Sequence, residues 1–343
     1  MRAIVKNKKA KGIILQDTLE PEVDLEDVLI KVKKVGICGT DLHIYNWDTW
    51  SQERINPPVI LGHEFVGEIV ELGKNVKNLK IGQRVTAEGH FNCGFCKQCR
   101  NNQRHICRNI KLLGVDVDGC FADFVSVPYM NIWSINSDIP DEVATIFDPF
   151  GNAMHAVTAG DVFTKNVLIT GAGTIGLFAI LISRLQCAAN IIVVEPCNYR
   201  KKIAEKLGAD LILDPKDLKI KEKILDFTKG YGPDVFLEMS GDGVITNLGL
   251  NLISNGGHAI LLGLSNKHTP IDISRSIVLK GVNVYGITGR KMFETWYQSE
   301  VFLQKHWKML KQIITHNFSL ENIEEAFSLL NEKKAIKVIL NIN

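Results

Sequence analysis

The sequence has almost no charge imbalance. Forty lysines and arginines face 38 aspartates and glutamates, a net charge of +2, so the strongly basic face that a nucleic acid or an anionic membrane would call for is not expected. Long apolar runs are missing too. The opening Met1-Arg2-Ala3-Ile4-Val5-Lys6 contains no stretch long enough for a signal peptide, and nothing later approaches a membrane span, so a cytoplasmic protein is expected. There is no repeat of fixed period and no low-complexity linker. With those classes set aside, 343 residues exceed one compact core and predict two domains.

Cysteine is present, but eight residues in a large chain without a secretory signal do not predict a disulfide framework. Cys93, Cys96, Cys99 and Cys107 form a C-x-x-C-x-x-C-x7-C run, with Gly94 and Asn101-Asn102 to let the chain wrap. Four thiolates close a tetrahedral shell, which is the pattern of a structural zinc. Four buried free thiols are the plain alternative, although the polar sequence around them would gain little from burial. A nucleic-acid zinc knuckle is the other: Lys97, Arg100, Arg104 and Arg108 fit it, but stacking partners are few beyond Phe91 and Phe95.

A second group of ligand types is split between two stretches. Leu61-Gly62-His63-Glu64-Phe65-Val66-Gly67-Glu68 sets a histidine beside a carboxylate between glycines, and Cys38-Gly39-Thr40-Asp41-Leu42-His43 offers a thiol, a hydroxyl and an imidazole within six residues. One zinc joining the stretches would take a thiolate, an imidazole and a carboxylate and keep a fourth position for a substrate oxygen. Taken singly, Cys38 reads as core and His63 as a satisfied turn residue. Adjacent strand residues point to opposite faces, so His63 and Glu64 can share a metal only if the chain bends there. Asp148 is the rival acidic group. A helical turn over Asp41 to Asn46 would put Thr40 and His43 on one face.

The pattern changes along the chain. Residues 1–150 read as a β-rich domain of short apolar strands cut by Gly, Pro and Asn turns. A linking helix is expected near Ile146 to His155. Residues 151–293 alternate apolar runs with helical patterns: Val167-Leu168-Ile169-Thr170, Ile191 to Val194, Leu211 to Leu213, Val235 to Glu238 and Ala259 to Leu262, with Val282 to Tyr285 as a sixth, which predicts a doubly wound parallel sheet. Residues 294–343 read as a helix-rich segment that closes in a strand over Ala335 to Leu340 and returns to the first domain.

Gly171-Ala172-Gly173-Thr174-Ile175-Gly176 fits G-x-G-x-x-G directly after a predicted strand and before an apolar helix. Such glycines allow close backbone approach to a pyrophosphate at a helix N-terminus. Glu195 ends the next strand, where an acid can accept hydrogen bonds from the adenosine ribose, so NAD is the expected cofactor. Arg200 and Lys201 could instead meet the extra phosphate of NADP.

Three stretches carry a resemblance. Cys38-Gly39-Thr40-Asp41-Leu42-His43-Ile44-Tyr45-Asn46-Trp47-Asp48, Phe147-Asp148-Pro149-Phe150-Gly151-Asn152-Ala153 and Gly289-Arg290-Lys291-Met292-Phe293-Glu294-Thr295-Trp296-Tyr297 resemble the zinc-containing medium-chain dehydrogenases, and the match spans essentially the whole chain. The resemblance implies a GroES-like catalytic domain with a Rossmann NAD-binding domain. It implies Cys38, His63 and Glu64 on catalytic zinc, Thr40 and His43 as a proton relay, and Asp148 in a relay or outer-shell role. It further implies Cys93, Cys96, Cys99 and Cys107 on structural zinc, two zinc ions per chain in all, and NAD contacts at Ile175, Glu195, Arg200, Leu262, Gly263, Leu264, Gly286 and Ile287. A homotetramer is implied, as is oxidation of the L-threonine hydroxyl to 2-amino-3-oxobutanoate. The rivals are the same chemistry on a polyol or other secondary alcohol, and an NAD-binding sensor without catalysis. Glu195 stands where the family usually has Asp, and Lys305 to Gln312 replaces a usual Gly-containing turn.

Overall fold

The computed structural model describes residues 1–265 and 267–342. Packing divides the chain into one unit made of Met1–Asp148 with Lys291–Asn343 and a second made of Pro149–Arg290.

The first unit is built on the ten-residue strand Asp27–Gly36. Val28, Ile30 and Val32 are buried while Lys31 and Lys33 are exposed, the period-two pattern of a strand with one wet face. Glu64–Leu72 pairs antiparallel along one of its edges. Phe124–Pro128 and Lys337–Asn341 pair antiparallel with Asp27–Lys31 and Lys34–Gly36 respectively. Ile314–Ser319 then runs parallel to Lys337–Asn341. A smaller sheet of three strands holds Ile14–Asp17, Arg2–Lys6 and Val59–Ile60. The core joins Ile30, Val35, Ile44, Phe65, Phe121 and Phe327, so the helices Gly39–Asn46 and Ile323–Asn331 rest on the same apolar layer as the sheet.

The second unit is a six-stranded parallel sheet. Its order is Leu211–Leu213, Asn190–Val194, Asn166–Thr170, Val235–Glu238, His258–Leu261 and Asn283–Gly286. Counted from Asn166–Thr170 this is 3-2-1-4-5-6, in which the switch point lies beside the first strand. All six apolar runs seen in the sequence are strands. The linking helix is Phe147–Gly160, and the helix Thr174–Leu185 opens at the glycine loop. Among the described residues no helix is long and apolar enough to cross a membrane.

Candidate active site and metal centres

Gly62 makes the bend that His63 and Glu64 need. Its φ is +93°, and a Cβ there would fall 2.1 Å from the Phe121 ring, so only glycine fits. The strand Glu64–Leu72 starts one residue after His63, which leaves His63 off the pleat and lets both side chains point the same way. A thiol sulfur, an imidazole nitrogen and a carboxylate oxygen from Cys38, His63 and Glu64 lie within 4.8 Å of one another. Asp148 is buried nearby, its Oδ2 4.0 Å from where a Gly89 Cβ would stand, and the same Cβ would lie 3.5 Å from His63 Cβ.

The electrostatics of this cluster favour a cation. Burial alone would lower the His63 pKa, but the Cys38 sulfur, Asp41 and Asp148 outweigh it and push the value up to about 10. Burial raises the Glu64 carboxyl, opposed first by Lys337. Burial also raises Asp41, with His63 opposing. His63 Nδ1, Glu64 Oε1 and Asp41 Oδ1 are buried with no hydrogen-bond partner among the described residues. Buried polar atoms without partners cost folding energy unless a ligand takes them up. A divalent metal with one nitrogen, one sulfur and one oxygen ligand suits this donor set.

Two residues at this site escaped sequence reasoning. Lys337, 1 % exposed, contacts Glu64 Oε2 and donates to the Ile37 carbonyl at 2.9 Å. Gly36 makes room for that pair, since a Cβ there would sit 2.5 Å from Glu64 Oε2 and 2.9 Å from Lys337 Cε. No local pattern announces a contact across 273 residues.

The helix Gly39–Asn46 carries Thr40 and His43 on one face. Its start is fixed by Asp41, whose Oδ2 accepts the Cys38 amide at 2.8 Å. The Cys38 thiol donates toward Thr40 Oγ1 at 3.7 Å, so the hydroxyl adjoins the Cys38, His63 and Glu64 cluster. Packing holds the helix through Ile44 in the core, Tyr45 stacked on Phe327 at 4.7 Å, and the Tyr45 hydroxyl donating to Glu324 at 2.7 Å. His43 Nδ1 stands 2.5 Å from Asp48 Oδ2. Burial raises the Asp48 carboxyl, but the Ser51 amide and hydroxyl together with His43 more than reverse it, leaving its pKa below the usual carboxylate range. Asp48 was the third residue missed. Its signal was present as the N-cap of the helix Thr49–Arg54.

In the second unit, Gly171 and Gly173 form the turn before the helix Thr174–Leu185, and a Cβ on Gly176 would lie 1.9 Å from the Gly171 carbonyl. Glu195 is 3 % exposed, its Oε2 accepting the Ala172 amide at 2.7 Å and its Oε1 the Cys197 amide at 2.9 Å, so the carboxylate braces the glycine turn from the next strand. Arg200 Nη1 lies 4.0 Å from where a Gly173 Cβ would stand, and its buried Nε has no partner among the described residues. An unpaired buried donor over a glycine turn at a helix N-terminus suits a phosphate. Leu262 and Gly263 donate their amides to the Glu238 carbonyl, and Ile287 donates to Leu261, so these segments lie at the carboxyl ends of adjacent strands with Leu264 and Gly286. Ile175 lies in the first turn of the helix that follows the glycines.

The four sulfurs of Cys93, Cys96, Cys99 and Cys107 lie within 4.8 Å of one another, with pairs at 3.5, 3.8 and 3.5 Å. Four sulfurs about 2.3 Å from a central zinc stand about 3.8 Å apart, so the cluster has the dimensions of such a site. The Cys99 and Arg108 amides hold the Cys96 sulfur as thiolate and lower its pKa to about 6. Among the described residues none of the eight cysteines is in a disulfide.

Comparisons with known proteins give the family. The family model described as alcohol dehydrogenase GroES-like domain matches residues 24–137, and that described as zinc-binding dehydrogenase matches residues 174–305. The L-threonine 3-dehydrogenase of Caldanaerobacter subterraneus subsp. tengcongensis is 43% identical over 341 residues, covering 99% of this chain and 98% of its own. The chain belongs to the zinc-containing medium-chain dehydrogenases. Within that family the L-threonine 3-dehydrogenase of Pyrococcus abyssi is 44% identical, over 99% of this chain and 98% of its own. An alcohol dehydrogenase of Escherichia coli CFT073, solved with NADH, superposes with a TM-score of 0.91 at 26% identity, covering 100% of this chain and 99% of its own. The dehydrogenase fold accounts for both classes expected from the sequence, the GroES-like β domain and the doubly wound sheet.

Proposed function

We propose that this dehydrogenase oxidises the side-chain hydroxyl of L-threonine to a ketone, giving 2-amino-3-oxobutanoate, with NAD as hydride acceptor and two zinc ions per chain. One observation carries the reading: the Cys38, His63 and Glu64 cluster adjoins the helix of Thr40 and His43, in a chain 43–44% identical throughout to L-threonine 3-dehydrogenases.

Cys38, His63 and Glu64 would hold the catalytic zinc, and Cys93, Cys96, Cys99 and Cys107 the structural one. When bound, the catalytic zinc supplies a Lewis acid for the hydroxyl oxygen and NAD supplies the hydride acceptor. The chain's own work is proton handling and positioning. Thr40 Oγ1 takes the hydroxyl proton and hands it to His43, whose half-buried ring passes it outward. Asp148, buried beside the cluster, takes the relay or outer-shell role. Gly171, Gly173 and Gly176 admit the pyrophosphate, with Arg200 over the turn, and Glu195 favours ribose hydroxyls over the added phosphate of NADP. The reading extends to a cytoplasmic homotetramer that binds neither nucleic acid nor membrane.

The test is NADH formation from a panel of alcohols, polyols and β-hydroxy amino acids. L-threonine should give the highest kcat/KM. A polyol exceeding it would move the substrate to the rival class, and no turnover of any alcohol by zinc-loaded protein would favour a sensor.

A further inference from the structure

The turn that follows the Thr40 and His43 helix has an arrangement that the relay as described does not use. Trp47 is left-handed, φ 56° and ψ 47°, so the chain folds back at the end of the helix and residue 48 comes to face its last turn. There the Asp48 carboxylate meets His43 Nδ1 at 2.5 Å through Oδ2, while Oδ1 accepts the Ser51 amide and the Ser51 hydroxyl, both at 3.0 Å. Each oxygen is therefore held by its own donors. The Trp50 ring stands edge-on to His43 at 6.2 Å and walls the pair on one side.

An ionised carboxylate only accepts hydrogen bonds. Facing Asp48, the neutral imidazole must carry its proton on Nδ1, which leaves Nε2 bare and able to accept a proton. We propose that Asp48 is a positioning residue of the proton relay: it fixes His43 in the Nδ1–H tautomer and offsets the charge of the imidazolium formed when Thr40 hands over its proton. This rests on the reading that His43 receives that proton. The same carboxylate also caps the helix Thr49–Arg54, and a capping role alone would affect stability and nothing else.

Asp48→Asn separates the two roles. The amide oxygen still accepts from Ser51 and keeps the cap, whereas the amide nitrogen can only donate to Nδ1, which forces the proton onto Nε2. Asp48→Asn should lower kcat for threonine oxidation by about ten- to a thousand-fold, within the range of general acid-base effects. KM for threonine and NAD, zinc content and melting temperature should stay near their unsubstituted values. In 15N-histidine-labelled protein under alkaline conditions, with His43 assigned by its loss in His43→Asn, the ring should read Nδ1–H in the unsubstituted chain and shift toward Nε2–H in Asp48→Asn. The double variant should be no slower than His43→Asn alone.

An Nε2–H ring in the unsubstituted chain, a kcat unchanged in Asp48→Asn, or rate losses that multiply in the double variant would each overturn the proposal. Full activity of His43→Asn would instead remove the relay on which it rests.

Discussion

Lys337 and Glu64 are a buried ion pair that exists because residue 36 has no side chain. Removing one member of such a pair strands the other charge, at a cost of about 3–5 kcal/mol. Lys337→Met should therefore destabilise zinc-free protein by about that amount in urea unfolding. Zinc should recover part of the loss if Glu64 is a ligand, because the cation replaces the missing ammonium. Equal losses with and without zinc would take Glu64 out of the metal set. Glu195 gives a second prediction. Its carboxylate, 3 % exposed, is held by the Ala172 and Cys197 amides and braces the glycine turn. Glu195→Ser should narrow the ratio of kcat/KM for NAD over NADP and raise the KM for NAD, as the turn loses a bond. Parity between the two cofactors in the unsubstituted enzyme would show Arg200 or Lys201 prevailing.

Elements depend on ties that run outside them. Lys6, buried, donates to the carbonyls of Ala10 and Gly12 and lies 4.8 Å over the Trp47 ring, while the Gly12 amide donates to Tyr45, so the loop after the first strand is fastened to the end of the Thr40 and His43 helix. Burial lowers the Lys6 pKa from 10.5 to about 8. The unfolded chain thus holds this proton more tightly than the folded one, and folding gains as pH rises from about 8 to 10.5. The unfolding free energy of the unsubstituted protein, minus that of Lys6→Met, should climb across that window. A flat difference would mean that Lys6 titrates as in the open chain. Local sequence could not show the contact of Lys6 with Trp47 or the bond of Gly12 to Tyr45, which join distant stretches, nor the His43 and Asp48 pair, which depends on the left-handed turn at Trp47. The parallel strands were legible because strands covered on both faces read as unbroken apolar runs such as Ile191 to Val194. Ile314–Ser319 was not: Thr315-His316-Asn317 breaks the alternation, and only its pairing with Lys337–Asn341 makes it a strand. The candidate ligand clusters were legible because their residue types are chemically rare in such spacing, whereas Gly36 and Lys337 act by shape and by distance.

At the scale of the whole molecule, the two candidate metal sites differ in what surrounds them. The Cys38, His63 and Glu64 site borders the apolar core of the sheet, while the four-cysteine lobe has only Cys99 and Cys107 buried among its four cysteines and leaves Phe95 exposed. A lobe with so little buried apolar surface would depend on a bound metal for its fold. Metal analysis should find two zinc ions per chain, one in Cys38→Ser with the fold kept, and in Cys96→Ser a lobe open to proteolysis between residues 93 and 107. A single zinc in the metal-replete unsubstituted protein would remove the two-site reading.

The first unit's sheet also has an order in time. Lys337–Asn341 lies between Asp27–Gly36 and Ile314–Ser319, yet a ribosome makes it after every other strand of that sheet. Through most of translation the nascent chain must carry an open edge on its longest strand and a Glu64 lacking its counter-ion, while the whole of Pro149–Arg290 has already emerged and is free to fold by itself. Chaperone demand should accordingly concentrate on residues 1–148, which emerge before Pro149–Arg290 yet are completed only after it.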